Sequence, residues 1–86
     1  MKTINFTKFP LLNRDGSVVE TDIEEIFFET AYKNSQTRND VAKNLSFKNG
    51  EDIELTEENI EYILRYIGFI NPAICQYSFE KYIETE

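Results

Sequence analysis

The segment LTEENIEYILRYIG, residues 55–68, constrains the fold of this chain more than any other stretch. Thr56 stands where a helix cap would accept a hydrogen bond from the first turn, and Gly68 stands where the helix would end. Between them, large aliphatic residues recur at the spacing of one helical face, at Ile60, Ile63, Leu64 and Ile67. The segment therefore predicts an amphipathic helix that must bury this face.

Two segments before it also carry helix signals. In TDIEE, Thr21 and Glu24 fit a capping box, which predicts a helix to about Lys33 with an apolar face of Ile23, Ile26, Phe27, Thr30 and Ala31. A shorter helix is expected to start near Thr37 or Arg38 and to terminate at Gly50. Its apolar positions are Val41, Ala42, Leu45 and Phe47.

A fourth helix is predicted from Pro72 to about residue 84, capped by Asn71, with Cys75, Phe79 and Tyr82 on one face. Ile53 and Leu55 indicate a short extended stretch. The N-terminal segment instead alternates weakly, and Asn13 to Gly16 form a turn signal, so a β-hairpin with strands near 3–12 and 17–21 is expected. Pro10 makes the first strand an edge strand or bends it.

These elements predict one α+β domain over residues 1–86, with an N-terminal β-hairpin packed on three to four short helices and helix in excess of strand. A chain of this length and 41% hydrophobic content has enough apolar material for one core. The predicted centre of that core is Ile26, Phe27, Ile60, Ile63, Leu64, Ile67 and Phe79.

The formal net charge of −7, without a cluster of Lys or Arg, argues against direct binding to nucleic acid or to an anionic membrane surface. The N-terminus lacks the apolar block of a signal peptide, so the mature protein is expected to start at Met1. Cys75 is the single cysteine, so no internal disulfide can form, which favours a reducing cytosol or the interior of a host cell.

Catalytic chemistry finds little support in the residues. The chain has no His to activate Cys75 or to complete a zinc site, so we expect no catalytic residue, no metal and no cofactor. The pairs Glu24/Glu25 and Glu57/Glu58 suit the first turn of a helix better than acid–base catalysis. The segment around Asp15 lacks the first and last ligands of a calcium loop.

Two groups of residues remain as candidate protein-binding surfaces. Tyr62 and Tyr66 lie off the predicted apolar stripe, where they either form a partner contact or cover the edge of the core with the hydroxyl in water. Glu54, Glu57, Glu58 and Glu61 belong to an acidic run from Glu51 that no base relieves before Arg65. Those acids either steer a basic partner, particularly if they adjoin the acids of the first helix, or only keep the protein soluble.

The order LLNRDGSVVETDIEEIFFETAYKN followed by NGEDIELTEENIEYILRYI resembles small proteins carried by bacteriophages, prophages and mobile elements. The shared features are structural, namely a DG hairpin, an acidic helix and an L-T-x-E entry into another helix. The resemblance implies a phage or mobile-element origin, and with it a place in the cytoplasm of a bacterial host cell, and it assigns no functional residues.

Two functions follow as hypotheses. In the first, the chain is a small acidic, non-catalytic adaptor or modulator that binds one protein partner. In the second, it is an acidic mimic of nucleic acid that occupies the binding site of a basic protein.

Overall fold

A computed structural model describes residues 2–70 and 73–84 of the chain. Within these residues four helices carry most of the regular backbone: α1 Glu24–Asn34, α2 Arg38–Ser46, α3 Glu57–Ile67 and α4 Ile74–Glu84. The strands are short: β1 Thr3–Ile4, β2 Phe9–Leu12, β3 Val18–Thr21 and β4 Ile53–Glu54. The predicted α+β class, with helix in excess of strand, is confirmed.

The predicted hairpin forms between β2 and β3, which pair antiparallel with Leu12 opposite Val18 and Phe9 opposite Thr21. Its turn closes by two hydrogen bonds, from the Gly16 amide to the Asn13 carbonyl at 3.0 Å and from the Asn13 amide to the Ser17 carbonyl at 2.7 Å. Gly16 has a φ of 93°, a conformation that side chains with a Cβ rarely adopt. The DG signal therefore located the turn correctly.

The first strand does not run unbroken from residue 3 to 12 as expected. The Asn5 side chain accepts hydrogen bonds from the Thr7 amide at 2.9 Å and the Thr7 hydroxyl at 2.6 Å, and these bonds turn residues 6–8 into a 3-10 helix. The strand is thereby divided between two sheets. β1 pairs with β4, Ile4 opposite Ile53, while β2 pairs with β3.

Helix α1 begins later than the capping-box pattern predicted. Thr21 lies within β3 opposite Phe9, so it is part of the sheet and does not cap the helix. The Asp22 carboxylate instead accepts a hydrogen bond from the Glu24 amide at 3.1 Å. Phe27 and Ala31 are buried as predicted, whereas Ile26 is 51% exposed, and its assignment to the core was wrong.

Helix α2 starts as predicted, after Thr37, whose side chain accepts a hydrogen bond from the Asp40 amide at 3.1 Å. The helix buries a different face from the one predicted. Leu45 is 68% exposed, while Asp40 and Asn44 are buried. Gly50 has a positive φ of 76°, but it lies in the turn after the helix and does not terminate it.

Helix α3 has its predicted bounds, with Thr56 as the cap that accepts a hydrogen bond from the Asn59 amide at 3.1 Å. Ile63 and Ile67 are buried as predicted, while Ile60 and Leu64 are half-buried. Helix α4 buries Cys75 and Phe79 and half-buries Tyr82. The proposed cap Asn71 and first residue Pro72 lie outside the described residues.

The core lies where α1, α3 and α4 meet the N-terminal segment, and aromatic rings fill much of it. Phe6 stacks on Phe27 with 4.3 Å between ring centroids, and Tyr62 packs against Tyr66 at 5.2 Å. Over the described residues, none of the helices combines the length and apolarity needed to cross a bilayer.

Candidate functional site

The acids of the loop before α3 are held in place by polar contacts to Asn5 of the N-terminal segment and by a hydrogen bond within the loop. The Asn5 amide donates to the Gly50 carbonyl and to the Asp52 carboxylate, each at 3.0 Å. The Glu51 carboxylate accepts a hydrogen bond from the Lys48 amide at 2.8 Å. These bonds give the loop a defined conformation that presents its carboxylates to solvent.

A hydrogen bond joins this loop to the acids of α1. The Gly50 amide donates to the Glu24 carboxylate at 2.5 Å, across a sequence separation of 26 residues. The two acidic groups of the sequence therefore adjoin in space. We call the resulting surface the acidic face, and its carboxylates are Asp22, Glu24, Glu25, Glu29, Glu51, Asp52 and Glu54.

The acids of α3 continue this surface. The Asn59 side chain donates to the Glu54 carbonyl at 2.8 Å, which places the first turn of α3 directly beside the acidic face. Glu57, Glu58 and Glu61 are exposed, and Glu58 pairs with Lys43 of α2 at 3.1 Å. Because Glu58 is 80% exposed, this ion pair contributes little to stability, yet it cancels one charge of the surface.

Apolar side chains emerge among these carboxylates. Ile26 lies in a shallow groove with Asp22, Glu25 and Glu29. A neighbouring groove of about 290 Å³ between α1 and α2 is lined by Phe28, Glu29, Tyr32, Asn44 and Leu45. Glu29 borders both grooves, so the exposed apolar residues and the acids form one continuous region of mixed chemistry.

The structure places Tyr62 and Tyr66 in the core, each 1% exposed, so the expectation that they lie on the surface was wrong. Both rings have the i, i+4 spacing of one helical face, and that face points inward beside Ile63 and Ile67. Burial raises the pKa of Tyr62, although a hydrogen bond from Asn44 opposes the shift. These tyrosines cannot contact a partner in this conformation.

Polar groups of α2 satisfy the two buried hydroxyls. The Asn44 amide donates to the Tyr62 hydroxyl at 3.0 Å and to the Phe28 carbonyl at 3.1 Å, while the Tyr66 hydroxyl donates to the Asp40 carboxylate. A nitrogen of Arg65 donates to both oxygens of Asp40 at 2.8 Å. The network links α1, α2 and α3.

The Asp40 carboxylate is the most conspicuous ionisable group that the sequence analysis missed. Burial opposes its ionisation, but hydrogen bonds from Tyr66, Arg65 and Thr37 and the charge of Arg65 outweigh that effect and hold its pKa below the usual value. A carboxylate held in the charged form is unsuited to donate a proton near neutral pH. The signal that could have identified it is the polar pair Asp40 and Asn44, spaced four residues apart in α2.

Two further ionisable groups, Cys75 and Asp15, have pKa values shifted by burial or by local hydrogen bonds. Cys75 is buried, and burial raises the pKa of its thiol, which disfavours the thiolate. Asp15 accepts hydrogen bonds from the Ser17 hydroxyl at 2.6 Å and amide at 2.9 Å, which lower its pKa and brace the hairpin turn. Within residues 2–70 and 73–84, acids and cysteine form no group arranged to hold a metal ion.

Comparison of the chain with protein-family models, with curated proteins and with solved structures found no match.

Proposed function

We propose that this chain is a small, non-catalytic adaptor or modulator that binds one protein partner through the acidic face and the apolar residues beside it. One observation carries the proposal: the hydrogen bond from the Gly50 amide to Glu24 joins two acidic groups into one surface. Ile26, Tyr32 and Leu45 emerge next to those acids, and each is about half exposed or more.

The mixed chemistry of this region suits a protein partner. Aromatic and aliphatic side chains supply most of the binding energy where they are desolvated at the centre of an interface, and surrounding charges give orientation and speed of association. Here Tyr32 and Leu45 line one groove together with Glu29. The partner surface that fits is apolar at its centre and basic at its rim.

A second candidate, the nucleic-acid mimic, uses the same carboxylates but gives the apolar residues no role. It is favoured by the extension of the acidic face into the first turn of α3, which lengthens the row of negative charge. The ion pair between Lys43 and Glu58 interrupts that row, and this supports the adaptor over the mimic. Bacteriophage or mobile-element origin and a place in the bacterial cytoplasm are parts of the same proposal.

A pull-down from bacterial lysate with matched variants of the full chain distinguishes the two proposed functions. Tyr32→Ser with Leu45→Ser removes the apolar contacts, and Glu29→Gln with Glu54→Gln removes two charges of the acidic face. Glu20→Gln with Glu84→Gln removes two exposed charges elsewhere and serves as the control.

For an adaptor, the apolar variant loses the partner, because anchor residues at an interface contribute about 2 kcal/mol or more each. For a mimic, the apolar variant keeps the partner and the acidic variant loses it. Association with the mimic's partner also slows steeply as salt shortens the Debye length to about 8 Å. Retention of the partner by both variants, or loss in the control, contradicts the assignment of this surface.

A further inference from the structure

The two edges of the hairpin differ in whether their backbone groups have partners. On the β2 edge, the Leu12 amide donates to the Ser78 hydroxyl at 2.9 Å, and Pro10 has no amide hydrogen to offer. Ser78 belongs to α4, which packs against β2. The β2 edge is therefore closed to another strand.

The outer edge of β3 is open. The Asn13 amide donates to the Ser17 carbonyl at 2.7 Å, so the next pair along the hairpin, Leu12 and Val18, is a pair without mutual hydrogen bonds. The same alternation directs the amide and carbonyl of Val18 and of Glu20 away from β2. In the part of the chain that the structure describes, no hydrogen bond engages these four groups.

Exposed valines lie on both faces of this edge. Val18 is 60% exposed and Val19 is 47% exposed. Because successive side chains of a strand point to opposite faces, one valine stands on each side of the free backbone groups. A strand edge that combines free amides and carbonyls with β-branched side chains is a template for pairing with another extended chain. The spacing of those groups selects an extended backbone as the ligand.

Charge decides which extended chain fits. Two copies of this chain, each with a formal net charge of −7, repel each other, which disfavours pairing of β3 with a second copy. The chain continues from β3 into Asp22, Glu24 and Glu25, and Asp22 and Glu25 are exposed. A strand that runs antiparallel to β3 has its N-terminal end beside these acids. Lysine or arginine at that end is complementary to them.

We propose that the outer edge of β3 binds an extended segment of a protein partner, basic at its N-terminal end and β-branched after it, which adds an antiparallel third strand to the hairpin. In this mode of recognition, main-chain hydrogen bonds supply affinity and alternate side chains supply specificity. The segment pairs with Val18 and Glu20 through its backbone and packs aliphatic side chains on Val18 and Val19. The edge is a second surface, which has only Asp22 in common with the acidic face.

The test uses the full chain labelled with ¹⁵N and titrated with the peptide acetyl-KKTTVIT-amide, followed by two-dimensional NMR. In the proposed register the peptide's isoleucine lies opposite Val18, its valine opposite Val19 and its second lysine opposite Asp22. Saturable shifts are expected at the amides of Val18 and Glu20, together with slower hydrogen exchange at both. The absence of saturable shifts at these two amides overturns the proposal.

Two methylated peptides test the hydrogen bonds with the sequence and charge unchanged. N-methylation at the peptide's isoleucine removes an amide that points to β3 and is expected to abolish binding. N-methylation at its valine removes an amide that points away from β3, so binding is expected to persist. Equal loss of binding with the two peptides contradicts strand addition in this register.

Variants of the chain separate the backbone from the side chain. Val18→Pro removes a free amide at the first residue of β3, where proline is tolerated, and is expected to weaken binding at least about tenfold. Val18→Ala keeps the amide and is expected to weaken binding at most about fivefold. An unchanged Leu11 amide signal shows that the hairpin is retained. Equal effects of the two variants contradict the role of the backbone.

The peptide acetyl-EETTVIT-amide tests the choice of a basic segment and is expected to bind about fivefold more weakly at low salt. Equal binding of the two peptides overturns that choice. Shifts at Val18 that follow protein concentration without peptide indicate a second copy as the occupant and also overturn it. Glu20→Gln keeps the backbone groups of its position, and the peptide test involves none of Glu29, Tyr32, Leu45 and Glu54. Failure of either proposal is therefore distinguishable from failure of the other.

Discussion

Helices α2 and α3 begin in the same way and pack in opposite ways. Each starts after a threonine whose hydroxyl oxygen accepts an amide hydrogen three residues later at 3.1 Å, Thr37 for α2 and Thr56 for α3. Helix α3 then buries its large side chains, including Ile63. Helix α2 turns Leu45 to solvent, 68% exposed, and buries Asp40 and Asn44.

The two helices differ because α3 buries two tyrosines in the core. Burial of Tyr62 and Tyr66 brings two hydroxyls away from water, and such groups need hydrogen-bond partners. Asp40 and Asn44 have the same four-residue spacing as the tyrosines and supply one partner to each. The face that α2 buries is therefore determined by the hydrogen bonds that the buried tyrosine hydroxyls of α3 require. The apolar residues of α2 do not determine it.

The largest expected effect comes from the face of α3. Ile63→Ala removes a fully buried side chain and leaves a cavity, so the free energy of unfolding should fall by about 2–5 kcal/mol. Urea denaturation followed by circular dichroism measures the change. Ile26→Ala is the matched control on α1, where an exposed side chain should cost less than about 0.5 kcal/mol. Similar losses in both variants would show that the two isoleucines are equally buried.

The next effect comes from the polar face of α2. Asn44→Ala leaves the Tyr62 hydroxyl and the Phe28 carbonyl without the amide that now satisfies them, at a cost of about 1–3 kcal/mol. Tyr62→Phe removes the hydroxyl itself and should cost less. The double variant should show a coupling of about 0.5–3 kcal/mol, as residues in one hydrogen-bond network do. Simple additivity would indicate that Asn44 does not support Tyr62.

Much of the fold could be predicted because its signals are local. The cap at Thr56, the turn at Gly16 and the start of α2 each depend on a few neighbouring residues. Tyr62 and Tyr66 were misplaced because a hydroxyl makes a tyrosine look like a surface residue, and its buried partners lie on another helix. When the hydrogen-bond partners on α2 are not known, the sequence predicts that the buried face of α3 is centred on the aliphatic residues and includes Ile60 and Leu64.

The candidate site was predictable in composition but not in arrangement. The sequence identifies both groups of acids, yet their contact depends on Glu24 and Gly50, which are 26 residues apart. Leu45 was expected on the buried face of α2, and that expectation was wrong for a related reason. Because Asp40 and Asn44 face the core, Leu45 faces solvent. The groove between the hairpin and α4, which Lys2, Pro10 and Ser78 line with four other residues, joins both ends of the chain, and no short sequence pattern marks it.

A smaller, pH-dependent effect should come from Asp40. Its pKa is lowered in the folded protein, so its ionisation stabilises the fold above the unfolded value of about 3.9, and this contribution is lost as pH falls through the folded pKa. Asp40→Asn abolishes this titration. The difference in unfolding free energy between the parent and this variant should be constant near neutral pH and shrink below about pH 4. A difference that does not change with pH contradicts the role of the charge.

The smallest effect should come from Leu45, where the two helices differ most. If α2 packed by its apolar residues as α3 does, Leu45→Gln would remove a core side chain and cost several kcal/mol. Because Leu45 is 68% exposed, we expect a change within about 0.5 kcal/mol in urea denaturation. Asn44 and Leu45 are adjacent in α2, and replacing Asn44 should lower the free energy of unfolding. The two variants together therefore test how α2 is rotated about its axis. A loss above about 2 kcal/mol at Leu45 would mean that α2 is rotated from the orientation described, and the apolar part of the proposed partner surface would then be buried.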